Sequence, residues 1–337
     1  MKRVGLLFER VVAFENLLHA TRQAARGKKS QLRVAHFLFH QEKECLRLQT
    51  ELKQGIWQPS GFRVFEIREP KPRRISAADF QDRVVQHALC NILGPLCERR
   101  LIFDTWACRR GKGSHLAMKR AQAFSRRFPY FLKCDIRRYF DSVDHTILKR
   151  LLWRLIKDKP VLNLLDRIID HPLPGALPGK GLPIGNLTSQ HFANLYLGEL
   201  DHQLKDRMGV KAYLRYMDDM LIFADDKSRL HELVTGIEDF VKQHLQLSLR
   251  PSATLVAPVS EGVPFLGFRI FPGLVRVNGQ ALRRFRHRLR LHEKAYQTGK
   301  MDVESLTASV QSMIAHLQHA DTHRLRQSLL SSSCALG

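Results

Sequence analysis

The stretch Tyr216-Met217-Asp218-Asp219 interrupts an apolar part of the chain, with Ala212-Tyr213-Leu214 before it and Met220-Leu221-Ile222-Phe223 after it. Two apolar segments on either side of a short acidic break predict a β-hairpin whose turn carries both carboxylates at its tip. Adjacent carboxylates there lose solvation and repel each other unless a cation neutralises them. Mg²⁺ is the natural cation, but acidic turns are also common on solvated surfaces. A metal site therefore needs a partner carboxylate elsewhere in the chain.

Asp135 is the candidate partner. It closes an apolar segment, Phe131-Leu132-Lys133-Cys134-Asp135-Ile136, that reads as a buried strand. A carboxylate at a strand end is placed to face a hairpin tip across a sheet. Three such carboxylates can hold two Mg²⁺ ions roughly 4 Å apart, the arrangement for in-line phosphoryl transfer. The pattern thus predicts metal-assisted phosphoryl transfer.

Basic charge dominates both ends of the chain. The sequence has 55 Lys and Arg against 32 Asp and Glu, a net charge of +23. The net charge is +15 in residues 1–128, +3 in residues 129–279 and +5 in residues 280–337. A nearly neutral centre between basic ends suits a catalytic platform that grips a nucleic acid from either side. A generally basic, solvated surface is the alternative.

Length and composition indicate a folded protein of the cytoplasm. A chain of 337 residues with 44% hydrophobic content can bury a substantial core and hold two or three subdomains. Its six cysteines are scattered without a C-x-x-C pair, which predicts neither a zinc site nor a disulfide framework. No segment is apolar over enough length to span a bilayer.

Helical and strand patterns alternate along the chain, which predicts an α+β or α/β core and a helical C-terminal unit. Residues 1–55 read as basic helices. We predict strands at 62–67, 131–136 and 265–270, and helices at about 77–96, 143–156, 189–208, 230–245, 282–296 and 303–330. A Gly- and Pro-rich loop spans 175–185, and Asn186 or Thr188 is expected to cap the helix after it.

Several motifs in a fixed order make the chain resemble reverse transcriptases over roughly residues 60–330. The motifs are Pro70-Lys71 to Arg74, Asp82-Arg83-Val84-Val85-Gln86-His87, Phe131 to Phe140, Gly181-Leu182-Pro183-Ile184-Gly185, Tyr216-Met217-Asp218-Asp219 and Phe265-Leu266-Gly267. The resemblance implies an α+β right-hand polymerase fold with fingers, a β-sheet palm and a helical thumb. Residues 1–128 would form a basic helical extension and the fingers. Residues 129–279 would form the palm, with a shared fingers and palm motif at 175–190, and residues 280–337 the thumb, with no further domain expected.

Family roles carry over to individual positions. The catalytic and metal-binding residues implied are Asp135, Asp218, Asp219 and, through its carbonyl, Ile136, around two Mg²⁺ ions. The nucleotide-binding residues implied are Lys71, Arg74, Phe140 as a steric gate against a ribose 2′-hydroxyl, Ile184 and Gly185. The primer and template residues implied are Gln190, Phe265, Leu266, Gly267, Arg283, Arg284 and Arg286. Plainer interpretations stay open: solvated loop and helix charges, a core aromatic at Phe140, and an ordinary buried strand at 265–267.

The segment from Ile184 to Gln190 narrows the resemblance. Its Ile-Gly-Asn-Leu-Thr-Ser-Gln sequence is similar to the I-G-x-x-x-S-Q pattern of diversity-generating retroelement enzymes, whereas group II intron-like enzymes mostly have Pro-Gln-Gly. Isoleucine is β-branched and apolar, so it cannot make the hydrogen bond of a Gln amide near the incoming nucleotide. The resemblance implies misincorporation opposite template adenines.

The function implied is an RNA-directed DNA polymerase that makes adenine-mutagenised cDNA from a template-repeat RNA, for retrohoming into a target gene. Its implied partners are template RNA, an RNA/DNA hybrid, dNTPs and a small basic accessory variability protein that assembles as a pentamer, with no membrane. The expected setting is the cytoplasm of a bacterium, with a bacterial or phage gene. The alternatives are a retron, abortive-infection or group II intron-type reverse transcriptase, or an RNA-binding maturase.

Overall fold

The computed structural model describes residues 3–68 and 72–331, and side chains up to residue 329. Lys71 and Cys334 lie outside the described residues. In chain order, the helices are α1 (Phe8–Val12), α2 (Phe14–Ala24), α3 (Leu32–Phe39), α4 (Gln41–Gln54), α5 (Phe80–Glu98), α6 (Ser114–Ser125), α7 (Tyr139–Ser142), α8 (His145–Leu155), α9 (Lys159–Asp170), α10 (Leu187–His202), α11 (Lys227–Leu245), α12 (Gly279–Gln297), α13 (Val303–Leu317) and α14 (His323–Ser331). A π-helical turn, Gln203–Arg207, continues α10.

The strands form small antiparallel sheets, as expected of an α+β protein. They are β1 (Arg63–Ile67), β2 (Arg73–Ala77), β3 (Tyr130–Asp135), β4 (Tyr213–Tyr216), β5 (Asp219–Ala224), β6 (Leu255–Pro258), β7 (Val263–Phe265), β8 (Phe268–Ile270) and β9 (Val275–Val277). In the described part of the chain, β1 pairs with β2, a four-stranded sheet has the order β4-β5-β3-β6, and a three-stranded sheet has the order β7-β8-β9. The β3–β6 and β4–β5 pairs are antiparallel.

The chain folds into two compact units. One is built from Met1–Arg109, Asp135–Val210 and Gly236–Arg250, and the other from Arg110–Cys134, Lys211–Thr235 and Pro251–Gly337. In the first unit, α5 contacts α1, α2, α3 and α10. Its residues Val84, Val85, Ala88 and Leu89 are buried, as their helical spacing predicted. The helix begins at Phe80 rather than near Ala77, because Ala77 still pairs with Arg63 in the β1–β2 hairpin.

In the second unit, α6 packs against β4, β5 and β8. The C-terminal helices share a separate apolar cluster. Its buried members are Phe285, Leu289, Leu306, Val310, Leu317 and Leu329. These side chains come from α12, α13 and α14, so the helical C-terminal region has a core of its own.

Two predicted elements, the helix over 303–330 and the strand over 265–270, are wrong because a turn interrupts each of them. The predicted helix over 303–330 ends at Leu317, where the Thr322 hydroxyl donates to the Leu317 carbonyl and Asp321 bonds the backbone of Val275. The predicted strand over 265–270 is a hairpin. Leu266 and Gly267 have φ values of +50° and +88°, and two positive φ values are typical of a type I′ turn.

Two titratable side chains in α5 are held in unusual states. Burial raises the pKa of the Asp82 carboxyl to about 6, although the Ser60 N–H donates to it at 2.7 Å. Its Oδ1 is buried without a hydrogen-bond partner among the described residues. Burial, with the positive charges of Arg83, Lys28 and Arg26, lowers the pKa of His87 to about 4.

We predict that Asp82→Asn stabilises the protein at neutral pH by roughly 1–2 kcal/mol. The folded state binds the Asp82 proton more tightly than the unfolded chain does, from an ordinary pKa of 3.8 to about 6. The wild type therefore loses stability as pH rises from about 4 to about 6, and the variant avoids that loss. Urea unfolding at pH 4.5 and 7 measures the difference.

The matched control is Asp201→Asn. Asp201 is also fully buried, and its Oδ2 accepts a hydrogen bond from the Thr105 hydroxyl at 2.8 Å; unlike Asp82, it has no buried oxygen without a partner among the described residues, so replacing one oxygen by an amide nitrogen is expected to destabilise the protein at pH 7. An Asp82→Asn variant less stable than the wild type at pH 7 would contradict the interpretation of Asp82.

Candidate active site

The acidic hairpin has the predicted form, with a difference in where its carboxylates lie. Tyr216 pairs with Asp219, so the turn consists of Met217 and Asp218. Asp218 lies at the tip, whereas Asp219 is the first residue of β5. Met217 has a φ of +57°, a left-handed conformation that costs a residue with a side chain about 1–3 kcal/mol. The surrounding structure must hold this turn in place.

Arg215 is a residue that the sequence interpretation missed. It lies in β4 directly before the acidic turn and is fully buried. Its Nη1 donates to the carbonyl of Met217 at 2.9 Å. A buried guanidinium is stable only where hydrogen-bond acceptors or negative charge surround it. The sequence signal was present, because an arginine inside an apolar strand next to two carboxylates is unusual.

Lys133 is the second missed residue. Its Nζ lies 2.7 Å from Asp219 Oδ1, and the two side chains are only 18% and 20% exposed. The same ammonium lies 5.9 Å from the centre of the Phe265 ring. Lys133 thus joins β3 to the first residue of β5 and to the β7–β8 hairpin. It supplies positive charge next to the acidic hairpin.

Asp135 is the last residue of β3, at the strand end where the sequence predicted it. Its carbonyl accepts a hydrogen bond from Arg250 N at 2.8 Å, and Arg137 N donates to the carbonyl of Ser248 at 2.9 Å. Ile136, between these bonds, forms an isolated bridge with Leu249. Neither bond uses the Ile136 carbonyl, the atom that the resemblance offers to a metal ion.

Within residues 3–68 and 72–329, no group of three or more His, Cys, Asp or Glu side chains forms a ready metal cage. The donor chemistry nevertheless fits Mg²⁺, which is usually bound by one or two carboxylates together with substrate phosphates and water. Asp135, Asp218 and Asp219 therefore remain the predicted metal-binding residues.

Strand β2 carries the one predicted triphosphate contact that the structure describes. Arg74 is an exposed residue of this strand, and its guanidinium lies directly against Gly175, where even a Cβ atom would collide with Nη1. Ser76 N donates to the carbonyl of Ile184 at 3.0 Å. The Gly- and Pro-rich loop is therefore bound to β2 near both of its ends.

Gly185 has a structural reason to be glycine. Its φ is +111°, and a Cβ there would lie 2.9 Å from Ile75 Cγ2 of β2. The neighbouring Ile184 side chain is half-buried, as is Gln190 on α10. A side chain at position 185 would push this loop away from the strand, so Gly185 keeps Ile184 close to β2.

Tyr139, not Phe140, is the core aromatic of its motif. The Tyr139 side chain is buried and its hydroxyl donates to the carbonyl of Ala193 at 2.5 Å. Phe140 is half-buried, with its ring 5.7 Å from the Tyr139 ring. A half-exposed aromatic ring suits the predicted steric gate, which stays a prediction.

The predicted primer and template residues lie in two elements. Phe265 is buried, whereas Leu266 and Gly267 form the turn of the β7–β8 hairpin. On α12, Arg283 and Arg286 are exposed and Arg284 is half-buried. Because the buried Phe285 and Leu289 occupy the opposite face, α12 presents its arginines to solvent, as a helix that follows a phosphate backbone would.

The sequence pattern of one protein family, described as "Reverse transcriptase (RNA-dependent DNA polymerase)", matches residues 67–270, more than half of the chain. Protein YkfC of Escherichia coli K12 is 24% identical over 66% of this chain and 70% of its own length. The group II intron-encoded protein LtrA of Lactococcus lactis is 22% identical over 81% of this chain. The chain spans 54% of LtrA and 20% of a putative COX1/OXI3 intron 1 protein of Saccharomyces cerevisiae.

Solved structures identify the fold. Apo telomerase from Candida tropicalis superposes with a TM-score of 0.52 and 11% identity, covering 76% of this chain and 57% of that one. Telomerase from Candida albicans with a telomeric RNA fragment gives a TM-score of 0.51 and 11% identity, covering 87% and 61%. The likeness confirms the predicted right-hand polymerase fold of the α+β class. No described helix is long and apolar enough to cross a membrane.

We predict that Lys133→Met lowers the free energy of unfolding by about 1–2 kcal/mol, because it removes a mostly buried charge partner of Asp219. A double-mutant cycle with Asp219→Asn should give a coupling energy of about 1 kcal/mol in urea unfolding. The control cycle uses Arg33 and Asp79, whose ion pair at 2.9 Å is exposed, with 85% of the Arg33 side chain accessible. Its coupling should stay below about 0.5 kcal/mol. Equal coupling in both cycles would show that burial adds nothing to the Lys133 pair.

Proposed function

The chain belongs to the family of reverse transcriptases, or RNA-dependent DNA polymerases, and on that premise we propose that it copies an RNA template into DNA with frequent errors at template adenines. The copy would serve mutagenic retrohoming into a target gene, as in diversity-generating retroelements. The observation that carries the adenine-specific part is the Ile184 to Gln190 motif, which begins in a loop hydrogen-bonded to β2 and continues into α10.

We propose Asp135 and Asp218 as the protein ligands of two Mg²⁺ ions, with Asp219 beside them and the carbonyl of Ile136 assisting. When bound, the ions activate the primer 3′-hydroxyl and neutralise charge on the leaving pyrophosphate. The ion pair with Lys133 supports a lesser role for Asp219 as a ligand, because one of its oxygens is already engaged. Arg215 and Lys133 hold the hairpin in the conformation that presents Asp218.

Nucleotide selection would depend on the hairpin of β1 and β2 and on the motif around Phe140. Arg74, together with Lys71, would bind the incoming triphosphate. Phe140 would exclude a ribose 2′-hydroxyl, since a half-exposed ring can occupy that space. Ile184 would face the nascent base pair without the hydrogen bond that a Gln amide makes, so imperfect pairs incur a smaller penalty there.

The proposed partners follow from charge and resemblance. Template RNA and the RNA/DNA hybrid would be gripped by the basic N-terminal 128 residues and by Arg283, Arg284 and Arg286 of α12, which form part of the proposed thumb. Phe265, Leu266 and Gly267 would position the primer end and Gln190 the template. A small basic pentameric accessory protein and a cytoplasmic setting complete the proposal, both by resemblance to diversity-generating retroelements.

We predict that Asp218→Asn with Asp219→Asn abolishes DNA synthesis on an RNA template primed with a DNA oligonucleotide, a loss of at least about 1,000-fold. Template RNA binding should persist, since the fingers and thumb are untouched. The chain offers a matched control in Asp225 and Asp226, an exposed Asp-Asp pair at the other end of β5. The variant with Asp225→Asn and Asp226→Asn should keep full activity. Synthesis that survives in the Asp218 and Asp219 variant would refute the polymerase site. A wild type that binds template RNA but makes no DNA, with the same binding in the variant, would favour the maturase alternative.

We predict that Ile184→Gln reduces errors opposite template adenines, because a Gln amide can restore a hydrogen bond next to the nascent pair. The expected drop is roughly three- to ten-fold, the factor that one net hydrogen bond supplies. Sequencing of cDNA from one defined RNA measures errors at all four template bases. Ile184→Val keeps the side chain apolar and should leave the error spectrum unchanged. An unaltered adenine error rate in Ile184→Gln would contradict the role of Ile184.

A further inference from the structure

The side chain of Asn186 ties the loop that carries Ile184 to strand β2. Its Oδ1 accepts a hydrogen bond from Ala78 N at 3.2 Å. A second hydrogen bond joins the residues two positions earlier on each segment. There the Ile184 carbonyl accepts from Ser76 N at 3.0 Å. Backbone donors two residues apart lie on the same edge of an extended chain. The Asn186 amide therefore acts in place of a backbone carbonyl and extends the pairing of the loop with β2 by one bond.

The contact between these two bonds is tight. Gly185 adopts a φ of +111°, and a Cβ there would approach Ile75 Cγ2 to 2.9 Å. Ile184 is thus fixed by a bond from its own carbonyl, by the close approach of the next residue and by the Asn186 bond. All three contacts are to residues 75–78, at and just beyond the end of β2.

Asn186 holds this position at a cost to stability. The residue is only 2% exposed, and its Nδ2 is buried without a hydrogen-bond partner among the described residues. The amide orientation is determined, because only Oδ1 can accept from Ala78 N. Asn186 also occupies the N-cap position of α10, yet its side chain makes no capping bond there. The side chain of an N-cap asparagine ordinarily accepts a hydrogen bond from the first turn of its own helix. The Asn186 side chain instead accepts its hydrogen bond from Ala78 N, just beyond the end of β2.

We propose that Asn186 is a positioning residue for nucleotide selection, which holds Ile184 at a fixed place relative to β2 and so sets the error spectrum. The proposal rests on the function proposed above, in which β2 presents Arg74 to the triphosphate and Ile184 faces the nascent pair. It predicts that the acceptor Oδ1, not the donor Nδ2, is the atom that matters. Without this bond the loop can move relative to β2, and Ile184 no longer discriminates between template bases.

Two substitutions separate the two atoms of the amide. Asn186→Ala removes both, whereas Asn186→Asp keeps an isosteric acceptor for Ala78 N and removes the donor. The matched control is Asn194→Ala, on the same helix α10. Asn194 is 3% exposed and its Nδ2 donates to the carbonyl of Ala107 at 2.8 Å, remote from β2 in the chain. Urea unfolding of each full-length variant establishes that it is folded.

The readout is single-nucleotide extension of a DNA primer on short RNAs that present each template base in turn. We expect Asn186→Ala to raise the KM for the correct dNTP by roughly three- to ten-fold, with a smaller change in kcat. Its misincorporation at template adenine should fall toward the level at other bases. Asn186→Asp should resemble the wild type in both quantities, and Asn194→Ala should change neither.

If Asn186→Ala folds, any one of three results would overturn the proposal. The first is a folded Asn186→Ala variant with wild-type KM and error spectrum. The second is an equal shift in Asn194→Ala, which would reveal a general effect of lost stability. The third is an Asn186→Asp variant that matches Asn186→Ala, which would make Nδ2 the functional atom. If Asn186→Ala does not fold, an Asn186→Asp variant with an altered KM or error spectrum overturns it equally.

A failure of the proposed function is seen in a different measurement. Wild-type protein that copies adenines as faithfully as other bases contradicts mutagenic retrohoming. The KM shift between wild type and Asn186→Ala still decides whether Asn186 positions the nucleotide site.

Discussion

Negative charge at the end of an apolar hairpin is the constraint on which the candidate site depends. Asp218 and Asp219 follow a strand whose side chains are mostly buried, so their charge must be balanced locally. The 2.7 Å contact from Lys133 to Asp219 provides part of that balance. Buried Arg215 adds another positive charge and bonds the strained Met217 turn. These two cations hold the hairpin from within the chain, and Asp218 is the carboxylate at its tip.

Strand β2 is the corresponding support for the proposed nucleotide site. It pairs with β1 on one side, and together with the following residue Ala78 it binds the loop from Gly175 to Asn186 through two hydrogen bonds and two close glycine contacts. The same strand carries Arg74, the proposed triphosphate contact, and holds Ile184, the proposed fidelity residue. It therefore links these two residues.

Local patterns predicted most of the secondary structure and the positions of the carboxylates. Periodicity identified α5 and β3, and the acidic break identified the hairpin, because these signals lie within a few residues of each other. The same reasoning failed at 265–270, where Leu266 adopts a positive φ that its side chain disfavours. It also failed near Leu317, where α13 ends because Asp321 pairs with Val275, 46 residues away. Contacts over such distances are invisible to a helical pattern.

The sequence by itself displayed the features from which the chemistry is proposed: the order of the motifs, the three aspartates, Ile184 where related enzymes have Gln, and basic ends around a nearly neutral centre. Those features consist of residue identities and spacings, and both can be read directly from the sequence. Only the tertiary structure decided which cations serve the acidic hairpin and what holds Ile184. Lys133 and Asp219 are 86 residues apart, and Asn186 and Ala78 are 108 apart. Charge balance and hydrogen bonding over such separations arise only when folding removes water and brings the partners together.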